Sequence, residues 1–337
     1  MKKFISTAIA AIMLAGCFAG CSNAGIKANA KKKIVTTIFP EYDWVMNILG
    51  DKASDMDVTM LLDNGVDLHS FQPKADDIMK ISTCDLFIYV GGESDGWVDD
   101  ALKESVNKDM VVINLLDALG DAVKEEEVVE GMQEEEHDHD HDHEEGEDHD
   151  HDNADPDEVE YDEHVWLSLH NSATLIEKIS EAIVKIDPDN ADAYKANASS
   201  YAGKVNELDK KYHDMVDSSS CKTMLFGDRF PFRYLADDYG LTYYAAFVGC
   251  SAETEASFET VSFLAKKVDE LGLKAVLTIE GADHRLAETI IQNTKSHDQK
   301  VLSLDSMQSV TAADVKAGVS YLSIMENNLK VLTEALG

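Results

Sequence analysis

The chain has 337 residues, of which 65 are Asp or Glu and 29 are Lys or Arg, so its formal net charge is −36 at neutral pH. This charge excludes nucleic acid as a partner, because phosphate binding needs a basic surface. Cations are instead the natural ligands of so acidic a protein. The length is sufficient for two domains of ordinary size.

The N-terminus is typical of a bacterial secretion signal. A basic start, MKK, precedes the apolar stretch 4–14, which is too short to remain as a membrane-spanning helix. The tetrapeptides LAGC, ending at Cys17, and FAGC, ending at Cys21, both resemble a lipobox, in which the Cys becomes the acylated first residue. Cys17 is favoured because Leu14 precedes it, and Cys21 is the alternative. A plain signal peptide with incidental cysteines is the other interpretation.

We therefore interpret residues 1–21 as signal peptide and lipobox, with cleavage before Cys17 or Cys21. Residues 22–32 are small and polar, and we interpret them as a tether between membrane and domain. No later segment is long and apolar enough to suggest a membrane span.

Short apolar runs alternate with helical patterns in the first half of the chain, which predicts a parallel α/β lobe. The predicted strands are 34–38, 58–62, 86–90 and 111–113, and the predicted helices between them are 42–49, 75–81 and 98–105.

A histidine lies in the loop after the second predicted strand. His69 stands between Gly65 and Pro73, which punctuate the loop, and Asp67 precedes it by two residues. A carboxylate at this spacing is close enough to bind the same metal ion or to support the imidazole ring. A surface histidine without a ligand role is the alternative interpretation.

Residues 125–163 contain 22 acidic residues and no Lys or Arg. Six histidines occur within this stretch at close spacing, namely His137, His139, His141, His143, His149 and His151. Imidazole is a common ligand for zinc, copper and nickel, and the segment HDHDHDHEEGEDHDH has no apolar residue with which to form a core. We predict a disordered metal-capturing loop over 125–160. An acidic linker with incidental histidines is the alternative.

The acidic stretch ends at a second candidate ligand, His164, which is followed by Trp166. Beyond it, residues 171–217 have an almost wholly helical pattern that is interrupted at Pro188. This pattern predicts a rigid linker helix region between an N-terminal lobe, 33–170, and a C-terminal lobe, 218–337.

The second half repeats the alternation of strand and helix. The predicted strands are 223–226, 242–245, 275–279 and 300–304, and the predicted helices are 230–239, 258–271, 285–294 and 312–336. Ligands of such sheets bind beyond the carboxyl ends of the strands, so the expected site is a cleft between the lobes.

Three cysteines follow the signal region. They form no CxxC pair, so a cysteine zinc site is not indicated. Cys84 lies in an apolar run and is predicted to be a core residue. Cys221 and Cys250 could pair in an exported protein, and their spacing leaves this open.

The two histidine motifs resemble those of the cluster A-I solute-binding proteins, the metal-binding lipoproteins of zinc and manganese ABC importers. The family's GxDxHxFxP loop is matched by residues 65–73, and its DxHVWL motif by residues 162–167. Zinc-type members insert a His- and Asp-rich loop directly before the second motif, as here. The resemblance implies an α/β fold of two Rossmann-like lobes with parallel sheets, joined by a long rigid linker helix, with a metal cleft between them.

Two further ligand positions of the family fall in the second half. The third is a His or Glu shortly before AFxYFxxxYGL, and here that position holds Arg229, which cannot bind a cation. The adjacent Asp228 is the candidate substitute. The fourth is the Asp of a strand-end LD motif, matched by Asp305. Glu280 ends another strand and is either a replacement ligand or a support to one.

The resemblance implies an extracytoplasmic, lipid-anchored monomer that delivers Zn(II) to an ABC permease and is not an enzyme. Mn(II) is the alternative cargo, because carboxylate ligands suit it. A surface metal buffer or adhesin is the alternative function. A third hypothesis is an exported metallohydrolase, although the chain has no HExxH motif.

Overall fold

The computed structural model describes residues 31–133, 160–251 and 255–337. In these ranges, the strands are β1 (Lys32–Thr36), β2 (Met56–Met60), β3 (Leu86–Tyr89), β4 (Val111–Asn114), β5 (Thr223–Phe230), β6 (Thr242–Val248), β7 (Ala275–Ile279) and β8 (Lys300–Leu304). The helices are α1 (Phe39–Leu49), α2 (Ala75–Ser82), α3 (Val98–Lys103), α4 (Leu115–Leu119), α5 (Leu169–Ile186), α6 (Ala191–Ser218), α7 (Arg233–Tyr239), α8 (Phe258–Leu271), α9 (Arg285–Gln292), α10 (Ala312–Lys316) and α11 (Tyr321–Leu336).

The strands form two parallel four-stranded sheets of the same topology, with the orders β2-β1-β3-β4 and β6-β5-β7-β8. Both sheets belong to one unit that spans residues 32–337. The central strands are buried, as in β3, where Leu86, Phe87 and Ile88 are fully inaccessible because helices cover both faces. The predicted fold class is confirmed. In each sheet the strand order reverses beside the first strand, and ligand sites form beyond the carboxyl ends at such points.

Helix α6 joins the two sheets. It has 28 residues, a length of about 42 Å at 1.5 Å per residue. Near its start, Asn197 Nδ2 donates to the Ile48 carbonyl of α1 at 3.0 Å. Near its end, the Tyr212 hydroxyl donates to the Met325 carbonyl of α11 at 2.6 Å. The helix is therefore hydrogen-bonded to elements that cover each sheet.

Two predicted helices of the second half are wrong in their bounds. The predicted helix 230–239 begins only at Arg233, because β5 continues to Phe230 and Pro231 follows it. The predicted helix 312–336 is two helices, α10 and α11. Gly318, with φ of +93°, lies in the break, a conformation that glycine adopts without steric cost. Ser320 then starts α11 by accepting a hydrogen bond from the Ser323 backbone.

The predicted disordered loop 125–160 begins too early. Residues 125–133 are described and packed: Glu126 N donates to the Glu160 carbonyl at 2.8 Å, and Met132 is 9% exposed. Gln133 N donates to the Ala246 carbonyl of β6 at 2.9 Å. Because β6 is an edge strand of its sheet, this segment covers an otherwise open sheet edge.

A buried carboxylate connects α1 with α6. Asp43 is 8% exposed, and its Oδ2 accepts hydrogen bonds from the Tyr201 hydroxyl at 2.5 Å and from Asn47 Nδ2 at 3.1 Å. Burial raises the pKa of Asp43 to about 6, although the hydrogen bonds act in the opposite direction. Ionisation of Asp43 therefore destabilises the folded state.

We expect Asp43→Asn to raise the free energy of unfolding above that of the wild type at neutral pH, and to do so less at acid pH. The unfolded side chain ionises near its ordinary pKa of 3.8, so the wild-type protein loses free energy of unfolding as the pH rises from about 4 to about 6. A pKa rise of this size corresponds to roughly 3 kcal/mol. Asn keeps an oxygen for the Tyr201 hydroxyl but does not ionise. Urea unfolding with a chelator, at several pH values across this window, measures the difference, and equal pH slopes for both proteins would contradict the prediction.

Candidate metal centre

His69 lies in a short 3-10 helix, Leu68–Ser70, in the loop after β2. The Asp67 side chain caps this turn by accepting a hydrogen bond from the His69 backbone N–H at 3.0 Å, a role for which Asp is favoured. His69 Nδ1 lies 2.7 Å from Ser94 Oγ. The other ring nitrogen, Nε2, therefore faces the cleft.

His164 comes from a distant part of the chain and is fully buried. Its Nδ1 lies 3.0 Å from Asp162 Oδ1, which also accepts a hydrogen bond from the His164 backbone N–H at 2.9 Å. A carboxylate on Nδ1 holds the proton there and leaves the Nε2 lone pair free for a metal ion. The Trp166 ring lies 5.3 Å away between centroids and helps to hold the imidazole in place.

The two imidazoles face one another with their Nε2 atoms 3.2 Å apart. A tetrahedral zinc ion with bonds of about 2.0–2.1 Å to nitrogen holds two such atoms about 3.3 Å apart. Burial, the neighbouring His164 and Arg229 lower the pKa of His69 to about 3, while Asp67 acts in the opposite direction. His69 is therefore neutral at physiological pH, the protonation state that binds metal.

Cys250 completes the group. It follows Gly249 at the carboxyl end of β6, and its Sγ and the two imidazoles offer ligand atoms that all lie within 4.8 Å of one another. Among the described residues, these three side chains are the one group of His, Cys, Asp or Glu that meets this distance. Burial raises the pKa of the Cys250 thiol, as do Glu126 and Glu163, so the metal-free thiol is protonated.

The chain passes close to His164 at Gly249. A Cβ on Gly249 would lie 2.9 Å from the Phe230 carbonyl oxygen and 3.1 Å from His164 Cε1. Only a residue without a side chain fits here easily, and this close approach brings the Cys250 backbone to the cleft.

A buried carboxylate supports His69. Glu163 Oε1 accepts a hydrogen bond from Ser94 N–H at 2.8 Å, and Oε2 lies 3.4 Å from His69 Nδ1. Burial raises the pKa of Glu163. Gly92, with φ of +82°, allows this packing, because a Cβ there would lie 2.4 Å from Glu163 Oε1. His69 Nδ1 can thus hold its proton between Ser94 and Glu163.

The predicted ligand Asp67 is engaged elsewhere. Its Oδ2 forms an ion pair with the Arg229 guanidinium, and its Oδ1 caps the His69 turn. Burial favours a higher pKa for Asp67, but the Arg229 charge and hydrogen bond bring it below its ordinary value. Arg229, at the third ligand position of the resembling family, therefore pairs with a carboxylate from the loop after β2. This ion pair links the loop after β2 of the first sheet to β5 of the second, beside the three clustered side chains.

In the proposed substitute for Arg229, Asp228, both carboxylate oxygens accept hydrogen bonds from the backbone. Its Oδ1 accepts from the Arg229 backbone N–H at 2.9 Å, and its Oδ2 accepts from the Ile279 backbone N–H at 3.1 Å. Both oxygens thus stabilise the strand irregularity between Phe226 and Arg229. Asp228 is not among the three clustered side chains.

Glu280 and Asp305 lie at the ends of β7 and β8 but outside the group of three. Glu280 accepts hydrogen bonds from Ser306 N–H at 2.6 Å, Ser306 Oγ at 2.8 Å and Gln308 N–H at 3.2 Å. Burial and the Asp305 charge raise the pKa of Glu280 to about 7. Gln308 Nε2 lies 3.3 Å from His164 Nε2, so Glu280 reaches the site through Gln308. A ligand role for Glu280 or Asp305 stays a prediction.

The remaining residues singled out from the sequence are the histidines of the acidic segment and the cysteines. The six histidines of 137–151 and the lipobox cysteines lie outside the described residues. Cys221 and Cys250 are both free thiols, so the disulfide left open by their spacing is not formed. Cys84 is buried, as predicted. Cys250 was not among the candidates from the sequence, and the signal that could have found it is its place five residues after the predicted strand 242–245.

Residues 34–335 match the family model described as "Zinc-uptake complex component A periplasmic", ZnuA. The chain belongs to this family. The match covers both sheets, the linker helix and the three clustered side chains of His69, His164 and Cys250.

Individual ZnuA-family relatives agree with this assignment. "Zinc-binding protein AdcA" of Streptococcus pyogenes is 30% identical over 319 residues, which are 91% of this chain and 56% of that protein. The chain thus spans about half the length of the AdcA proteins that it matches. "High-affinity zinc uptake system protein ZnuA" of Bacillus subtilis is 31% identical, with 96% of each chain covered. The Zn(II)-bound ZnuA-like domain of Streptococcus pneumoniae AdcA has a TM-score of 0.67 at 28% identity, covering 91% of this chain and 99% of that one.

Membership of the ZnuA family confirms the family resemblance read from the two histidine motifs. In the described part of the chain, no helix combines the length and apolar character needed to cross a membrane.

Proposed function

We propose that the protein captures Zn(II) outside the cytoplasmic membrane and delivers it to the permease of an ABC importer. The observation that carries this proposal is the pair of opposed imidazoles, with His69 Nε2 and His164 Nε2 3.2 Å apart. Both rings are oriented through Nδ1, by Ser94 and Asp162 respectively. Two lone pairs are thereby directed to one point.

The ZnuA-family description and the names of the relatives support Zn(II) as the cargo. The chemistry of the site supports it as well, because imidazole and thiol suit zinc, whereas Mn(II) prefers carboxylate and water. The carboxylates nearest the group accept hydrogen bonds from neighbouring residues. Zn(II) is therefore the favoured cargo over Mn(II).

A receptor of this kind needs to be held near its permease. We propose that the lipobox places the acylated residue at Cys17, with Cys21 as the alternative, and that residues 22–32 tether a monomeric receptor to the outer face of the membrane. We also propose the division into an N-terminal lobe, 33–170, and a C-terminal lobe, 218–337. The role of the protein is to bind and release the ion rather than to turn over a substrate.

The acidic His-rich segment assists capture in this proposal. Its charge concentrates cations near the cleft, an effect that fades with salt. Since Gln133 and Glu160 are described and hydrogen-bonded, a deletion that respects the fold removes residues 134–159.

We expect this deletion, closed with a short Gly-Ser linker, to lower the number of bound Zn(II) ions while keeping one tight site. The tight site is retained because His69 and His164 lie outside the deleted segment. Calorimetric titration of the full chain and of the deletion variant measures both quantities.

The matched control is the deletion variant that also carries His69→Ala, which should lack tight binding. A deletion variant that binds no Zn(II) tightly would show that the segment's histidines are the primary ligands. That result would favour a surface metal buffer over a receptor.

A further inference from the structure

We propose that Cys250 is the third ligand to the cargo ion and that its thiolate restricts the cargo to thiophilic divalent cations, Zn(II) and Cd(II), against Mn(II). The inference rests on the proposed function, in which His69 and His164 hold the ion. On binding, the Cys250 thiol releases its proton to solvent as the sulfur–metal bond forms.

The first support is the geometry of neighbouring strands. Arg229 of β5 pairs in register with Phe247 of β6, and Cys250 lies two residues beyond the end of β6 at Val248. β5 and β6 therefore end at the same edge of the sheet, and Cys250 follows the end of β6 there. Because Asp67 holds the Arg229 guanidinium, the Arg229 position supplies no ligand, and the neighbouring strand end supplies one instead.

The second support is the distance between ligand atoms. The sulfur and the imidazole nitrogens all lie within 4.8 Å of one another, and a tetrahedral zinc ion with bonds of about 2.3 Å to sulfur and about 2.0 Å to nitrogen holds sulfur and nitrogen about 3.5 Å apart. The close approach of Gly249 to His164 keeps the backbone within reach.

The third support is an unsatisfied polar group beside the cluster. Gln308 is 5% exposed, and its Oε1 has no hydrogen-bond partner among the described residues. Its Nε2 lies 3.3 Å from His164 Nε2. A buried carbonyl oxygen without a partner destabilises the protein, and rotation of the amide would turn this oxygen toward an ion held on His164. The site thus has a buried acceptor without a partner, which a cation held on His164 would satisfy.

The thiolate decides the class of cation. Soft sulfur ligands favour zinc and similar ions, whereas Mn(II) binds best to carboxylates and water. A His-His-Cys set therefore lowers Mn(II) affinity more than a set completed by a carboxylate would.

The test compares the full wild-type chain with Cys250→Ser and with the matched control Cys221→Ser, a half-buried free cysteine of the same sheet region. Titration with Zn(II) alone and with Mn(II) alone gives the affinities. Cys250→Ser should weaken Zn(II) binding at least ~10-fold and change Mn(II) binding far less. The preference for Zn(II) over Mn(II) should therefore become smaller. Cys221→Ser should match the wild type.

Co(II) gives a direct signature of the bond. The wild-type and Cys221→Ser proteins should show an intense thiolate-to-cobalt charge-transfer band in the near ultraviolet, and Cys250→Ser should lack it. The His-rich segment contains no sulfur and cannot produce this band. Should Cys250→Ser fail to fold, alkylation of the wild-type chain decides instead: bound Zn(II) should protect Cys250, but not Cys221, from iodoacetamide.

The outcomes separate this inference from the proposed function. Tight Zn(II) binding that is lost in His164→Ala but unchanged in Cys250→Ser, with no sulfur-to-cobalt band, would overturn the thiolate ligand and leave the receptor intact. Alkylation of Cys250 by iodoacetamide in the zinc-loaded wild-type chain would also overturn the thiolate ligand. A wild-type chain without tight Zn(II) binding would overturn both.

Discussion

Replacing His164 by alanine is expected to weaken Zn(II) binding by at least about 100-fold, because loss of groups that merely support a metal ligand already costs 10- to 100-fold. The substitution removes one of the two opposed nitrogens and leaves the Asp162 carboxylate without its imidazole partner. His69→Ala should act similarly, since its Nε2 is the other nitrogen. The measurement is a competitive titration against a chelator of known zinc affinity, in the variant that lacks residues 134–159, so that other histidines do not mask the loss.

A matched histidine control is available on α6. His213 has a side chain that is 54% exposed and lies near Asp209, away from the metal-binding group. His213→Ala should retain the affinity of the parent protein. Undiminished affinity in both His69→Ala and His164→Ala would remove the basis for the site assignment.

Replacing Trp166 by alanine is expected to destabilise the metal-free protein by about 3–5 kcal/mol, the usual cost of truncating a buried large aromatic side chain. Trp166 is fully buried. Its Nε1 donates to the Ser306 carbonyl at 2.8 Å, which connects the His164 segment to the loop after β8. The Trp166 carbonyl in turn accepts from the Tyr321 hydroxyl at 2.8 Å. Chemical denaturation monitored by circular dichroism measures the loss.

Trp166→Phe separates packing from hydrogen bonding. It keeps most of the ring volume and removes only the bond to Ser306, which is worth about 1 kcal/mol. A small effect of Trp166→Ala, comparable with that of Trp166→Phe, would mean that the ring is not a principal packing element. Addition of Zn(II) should recover part of the stability of both variants, because a ligand that binds only the folded state stabilises it.

The ion pair between Asp67 and Arg229 neutralises one of the carboxylates near the site. One charge comes from the loop after β2 and the other from β5, so the pair crosses between the two sheets beside the metal-binding group. It neutralises a carboxylate that would otherwise attract hard cations. The three clustered side chains, His69, His164 and Cys250, themselves offer nitrogen and sulfur atoms, which suit zinc.

The amino-acid sequence by itself determined the fold class and pointed to two of the three clustered side chains. Apolar runs of strand length, alternating with helical patterns, are local features, and they placed all eight strands of the described chain to within a few residues. His69 and His164 were recognisable because each lies in a short motif. The ring orientation of His164 was also partly encoded locally, since Asp162 stands two residues before it and lies 3.0 Å from its Nδ1.

Only the tertiary structure decided which side chains meet. Cys250 lies 86 residues beyond His164 along the chain, and its approach depends on the pairing of β6 with β5 and on the lack of a side chain at Gly249. Asp67 pairs with Arg229 across 162 residues of sequence, a contact that changes a candidate ligand into a partner of a guanidinium. Likewise, residues 125–133 are acidic in composition, yet Met132 and Gln133 pack on the second sheet. Such contacts follow from how whole elements pack, and composition and spacing along the chain do not specify them.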